Sequence, residues 1–100
     1  MNNLHIAFQD GFSNDTVIVA VNGSEMYNKP NITTNLAISL ADTVNVEIDD
    51  RIAHIKVSVP SRETTSTLTV DVTDTPYVGV NINNHGKVEI VPSKESFRYF

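Results

Sequence analysis

The stretch Val17-Ile18-Val19-Ala20-Val21-Asn22-Gly23-Ser24-Glu25-Met26-Tyr27 decides the fold. Its first five residues are apolar at every position, and four of them, Val17, Ile18, Val19 and Val21, are β-branched. A run of that kind is a strand apolar on both faces, and such strands lie in the middle of sheets. Asn22-Gly23 then accepts positive φ at both central positions of a two-residue turn, as a type I′ hairpin requires. Glu25 to Tyr27 is therefore expected to pair back on Val17 to Val21.

The same period of two runs through the rest of the chain. Leu4, Ile6 and Phe8 alternate with His5 and Ala7, and Val44, Val46 and Ile48 with Asn45 and Glu47. Ile55, Val57 and Val59 alternate with Lys56 and Ser58; Leu68, Val70 and Val72 with Thr67, Thr69 and Asp71; Val78, Val80 and Ile82 with Gly79 and Asn81. Val88 and Ile90 flank Glu89. Each set puts one face toward a core and the other toward water. Composition agrees, with thirteen Val, nine Ile and ten Thr against four Leu and five Ala. β-branched side chains lose χ1 freedom in helices and pack well on a pleated surface. Breaks fall at Asp49-Asp50, Pro60-Ser61, Thr73-Asp74-Thr75-Pro76 and Asn83-Asn84-His85-Gly86, all turn chemistry. The five runs from Val44 to Val91 read as a meander. Leu36, Ile38 and Leu40 read as one more strand, with Ala41-Asp42 turning, although Leu36, Ala37, Leu40 and Ala41 also fit one helical turn after a Thr34 or Asn35 cap.

One hundred residues make a single domain, residues 1–100, large enough for one modest core. Seven to nine short strands of this length bury their apolar faces as two packed sheets. The expected fold is an all-β antiparallel sandwich of immunoglobulin-like character, with a small closed barrel as the alternative. The two cysteines and core tryptophan of true immunoglobulin domains are absent. Thr75-Pro76-Tyr77-Val78-Gly79-Val80 partly resembles the tyrosine corner of fibronectin type III domains. Tyr77 falls in phase with Gly79 and Asn81, however, and no family is assigned.

Several functions are set aside by residue type. The absence of cysteine removes disulfide scaffolds, thiol catalysis, zinc fingers and iron–sulfur sites. Seven scattered Lys and Arg against twelve Asp and Glu, net −5, argue against nucleic acid and anionic membranes as partners. The apolar run at Val17–Val21 is too short to span a bilayer as a helix. The start Met1-Asn2-Asn3-Leu4-His5 carries no secretory pattern, so the expected location is cytoplasmic. No Gly-x-Ser-x-Gly elbow or phosphate-binding glycine loop occurs, and no enzyme activity or cofactor is expected. His5, His54 and His85 lack ligand spacing and read as surface residues. Asn14-Asp15-Thr16, Asn22-Gly23-Ser24 and Asn31-Ile32-Thr33 match the glycosylation pattern but read as turns.

What remains is interaction. Ser93-Lys94-Glu95-Ser96-Phe97-Arg98-Tyr99-Phe100 ends in three aromatics among four residues. Phe97, Arg98, Tyr99 and Phe100 are the expected partner-binding residues, since aromatics and Arg are enriched at interface centres. The opposing expectation is that this tail folds back on its own sandwich. Its likeness to the last strand of an outer-membrane barrel ends there, because strands apolar on both faces do not alternate lipid-out and polar-in. Thr64-Thr65-Ser66-Thr67 is an uncharged candidate edge for pairing with another chain; the alternative is that Arg62 and Glu63 beside it guard against such pairing. The expected role is a non-catalytic protein-interaction or assembly module, self-associating or bound to a protein partner. The alternative is a ligand-binding module. Asp42, Asp71 and Asp74 would offer oxygens to calcium if their loops shared one end of the sandwich. Tyr77, on the outer phase of its strand, would present a face to a sugar.

Overall fold

In a computed structural model, which describes residues 2–97, the chain forms eight strands in two four-stranded sheets. They are β1 Asn2–Phe8, β2 Asp15–Val21, β3 Ser24–Ile32, β4 Asp42–Ile48, β5 Ile52–Val59, β6 Thr64–Asp71, β7 Tyr77–Ile82 and β8 Val88–Ser93. One sheet has the order β4-β1-β7-β8 and the other β3-β2-β5-β6. The sheets stack so that β3 lies across from β4 and β6 across from β8. The molecule is thus an all-β sandwich, and the sheets remain two, with four edges.

The alternation reads through to burial. Leu4, Ile6 and Phe8, Val17, Val19 and Val21, Val57 and Val59, and Val78 and Val80 fill the space between the sheets. The Phe8 ring stacks on Tyr27 at 4.6 Å and meets Phe12 edge-on at 6.1 Å. The strand β2 is central, and Val21 pairs with Ser24 across a turn whose Asn22 and Gly23 have φ of 52° and 82°. The other two glycosylation-pattern asparagines, Asn14 and Asn31, also have positive φ, at 52° and 60°. Asparagine is the non-glycine residue best suited to that region, which accounts for its place at these bends.

Two expectations are corrected. The strands from Val44 to Val91 do not form a meander: only β5–β6 and β7–β8 pair in sequence, and the chain changes sheet between β4 and β5 and between β6 and β7. Alternation marks the buried face of a strand and is identical whichever sheet the strand joins. The strand pairing is antiparallel as expected, with one exception. The strand β1 runs antiparallel to β4 but parallel to β7, with Ile6 opposite Val78 and Phe8 opposite Val80. Finally, Leu36 to Leu40 is a turn rather than a strand, closed by a bridge between Asn35 and Leu40. The Asn35 side chain accepts the Ala37 N–H at 3.0 Å, and Ser39 has φ of 54°. An asparagine that hydrogen-bonds its own backbone offers the chain an alternative to a ladder. Leu36 is left 89% exposed. Leu36→Ser should therefore change unfolding free energy by less than about 0.5 kcal/mol, as for other surface positions. A larger loss in urea denaturation would show that this leucine is buried.

Candidate interaction site

The outer face of the β4-β1-β7-β8 sheet carries a groove built by register. His5 lies between Asn45 and Tyr77, and Ala7 lies between Thr43 and Gly79. Val78 and Val80 point into the core, so Tyr77 and Gly79 must point out. The His5 and Tyr77 rings stack at 5.0 Å, inclined by 22°, and Asn45 Oδ1 accepts from His5 Nδ1 at 2.6 Å. This polar and aromatic wall stands beside a floor made low by Ala7, with Gly79 next to it on β7. The groove beside it measures about 210 Å³, with Thr43, Ser96 and Phe97 completing its lining.

Phe97 sits over that floor. A Cβ at Gly79 would come within 3.1 Å of Phe97 Cζ and 2.7 Å of Gln9 Oε1. The missing side chain at Gly79 is what lets the ring approach the backbone. The turn that aims the segment back over the sheet is held by Ser93, whose Oγ donates to the Glu95 carbonyl at 2.7 Å and accepts its N–H at 3.2 Å. Of the four expected partner-binding residues, Phe97 is thus placed against its own sheet; Arg98, Tyr99 and Phe100 lie outside the described residues.

The calcium expectation is corrected by strand direction. Asp42 pairs with Phe8 at one end of the sandwich, whereas Asp71 pairs with Ile52 at the opposite end, where Asp74 also lies. Each carboxylate already has a cation. Asp42 accepts from Tyr27 Oη at 2.7 Å and from Lys29 Nζ at 3.2 Å. Burial pushes the Asp42 carboxyl up, but the bonds from Tyr27, the Thr43 N–H and Lys29 outweigh it and hold it below its ordinary value. The Tyr27 phenol is pushed up in turn, by its burial and by Asp42. The Arg51 guanidinium, 2.6 Å from Asp71 Oδ2, holds that carboxyl well below the usual range, helped by Thr73. Asp74 stands 3.5 Å from Lys94. Among the described residues no group of three or more His, Asp or Glu side chains converges as a metal site would need.

Among the aromatic candidates, Tyr27 is buried and Tyr77 is covered on one face by His5. His54 Nδ1 lies 3.0 Å from Thr69 Oγ1 across the β5–β6 pair. An ion pair at Asp15, absent from the sequence expectations, ties one end of the fold together. Asp15 is 2% exposed, and its oxygens take Arg62 Nε at 3.0 and 3.1 Å, Ser61 Oγ at 2.7 Å and the Ser13 N–H at 2.8 Å. Arg62 Nη2 also donates to the Gly11 carbonyl at 3.0 Å. The alternative in which Arg62 guards the β6 edge is therefore corrected, because the side chain turns inward to serve Asp15. No local motif signals a pair separated by 47 positions.

The four edges differ. The strand β3 carries Lys29 and Pro30 and has two breaks in register with β2. Pro92 interrupts β8, and β4 holds Asp42 and Glu47. The strand β6 has neither proline nor charge from Thr64 to Val70, and its register with β5 is continuous from Val59–Thr64 to Ile52–Asp71.

Comparison of the chain with protein-family models, curated proteins and solved structures returned no match.

Proposed function

We propose that this chain is a non-catalytic assembly module, an immunoglobulin-like sandwich that joins an identical copy edge to edge through β6. The single observation that supports this most is the unprotected β6 edge beside three edges interrupted by proline, charge or bulge. Natural sandwiches use those devices to stop edges from pairing, and an edge without them is a template for another strand. Self-pairing suits this segment. A copy related by a two-fold axis at Thr67 brings Thr65 opposite Thr69 and Thr67 opposite its counterpart. Such threonine pairs contribute roughly 0.2–1 kcal/mol each. The chain is acidic, at −5, and β6 offers a second copy a contact free of like charge from Thr64 to Val70.

The test is solution mass by size-exclusion chromatography with light scattering, on the full chain and on Thr67→Glu. The added carboxylate stays favourable within the chain, since Thr67 is paired with Lys56. Across the two-fold axis it meets its own copy and repels it. The full chain is expected to be a dimer and the variant a folded monomer. A full chain that stays monomeric over a hundredfold concentration range would sink the reading, as would a variant that remains dimeric.

A further inference from the structure

The geometry points to a second binding site, independent of β6: the groove over Ala7, with the Phe97 seat on Gly79 beside it, is a receptor for aromatic side chains. Its occupant in trans is the C-terminal aromatic segment of a second copy. Three observations carry this. The first is what already sits there. Phe97 is half-buried over Gly79, so the groove has shown the chemistry it accepts. The second is room. A cavity of roughly 150 Å³ lined by apolar atoms holds a benzene ring, and the groove beside Phe97 measures about 210 Å³. The wall of that space is the stacked pair His5 and Tyr77, which favours an offset or edge-on ring. The third is sequence: Phe97, Tyr99 and Phe100 supply three rings within four residues.

The hinge is short. From Ser93 the chain turns back through Lys94 and Glu95, held by the Ser93 hydroxyl. An extended hinge in place of that turn would carry the same ring onto the same groove of another copy with the same contacts, as in domain swapping. In the full chain the tether gives the cis ring an effective concentration of order mM. Cis seating therefore dominates in dilute solution, and trans seating emerges when a chain's own rings are removed.

A complementation experiment tests this, with both partners carrying Thr67→Glu so that β6 pairing is silent. One partner has Phe97, Tyr99 and Phe100 all replaced by Ser, leaving an open groove and no ring to offer. The other is Gly79→Val, which keeps the tail but puts a side chain where the Phe97 ring sits; Gly79 is not among the positive-φ glycines, so valine fits the backbone. Each alone should run as a monomer by light scattering, and an equimolar mixture should give a one-to-one dimer. A mixture that stays monomeric, with both partners folded by circular dichroism, overturns the proposal. Should Gly79→Val fail to fold, a labelled peptide of residues 94–100 is titrated into the triple-Ser chain. Saturable anisotropy, lost when the peptide's three aromatics are Ser, supports the receptor; no saturable change overturns it. Neither readout depends on β6, so either proposal can fail alone.

Discussion

Replacing Phe8 with alanine is expected to lower the unfolding free energy by about 4 kcal/mol, within the range for truncating a buried aromatic. Phe8 is fully buried at the end of β1, stacked on Tyr27 and edge-on to Phe12. Removing the ring takes away its own transfer free energy and leaves a void bounded by two aromatics that belong to different elements. Tyr27 is held by its bond to Asp42 and Phe12 by the bond of its N–H to Thr34 Oγ1 at 3.1 Å. Neither can slide far to fill the space, so the cost belongs at the high end. At about 4–8 °C per kcal/mol for a domain of this size, the melting temperature should fall by roughly 20 °C. Calorimetry on the purified variant checks it. A fall of only a few degrees would mean that the rings repack and that this end of the core is loosely held.

Arg62→Met is expected to cost about 2–3 kcal/mol at neutral pH, although no apolar contact is lost. Breaking a buried pair by removing one partner costs roughly 3–5 kcal/mol, and the figure is reduced here because the Arg62 side chain is 29% exposed. The damage lies in what is left behind. Burial pushes the Asp15 carboxyl up, and the bonds from Arg62, the Ser13 N–H and Ser61 together bring it below its ordinary value. A carboxyl lowered by folding contributes stability above its unfolded value of about 3.9, and that stability is lost as the pH falls through the folded value. In Arg62→Met the desolvation remains while the largest opposing bond is gone. The carboxylate is then strained at pH 7 and relieved by protonation. The gap between wild type and variant in urea denaturation should thus be widest near pH 7 and narrow toward pH 3. A gap independent of pH would show that Arg62 acts through packing of its methylenes instead.

The two variants illustrate what could be read in advance. Phe8 was legible as a core residue, because it shares the phase of Leu4 and Ile6 and that phase holds without interruption. The role of Arg62 was not legible: the sequence allowed it to guard the β6 edge, whereas it serves Asp15. Nothing near it in sequence calls for a cation, and its partner lies across a loop on a different strand. The groove was half legible. Tyr77 and Gly79 fall on the outer phase of β7, and the aromatic cluster at Phe97 stands out by composition. That Phe97 would cross Gly79 depends on the turn at Ser93 and on β1 lying beside β7. The three aspartates could be placed at strand ends, but not at the same or opposite ends, since that needs the direction of every strand between them.

By itself the sequence determined the place of nearly every strand, the buried face of those that alternate and the hairpin at Asn22-Gly23. These follow from period two, β-branched residues and positive-φ turn chemistry, all of which act within a few residues. Only the tertiary structure decided which strands are neighbours, that β1 runs parallel to β7, that β6 is the bare edge and that Asp15 meets Arg62. An alternating strand satisfies its apolar face against any apolar surface. The choice of neighbour is made by the packing of the whole chain, where contacts distant in sequence compete and one arrangement buries every face at once.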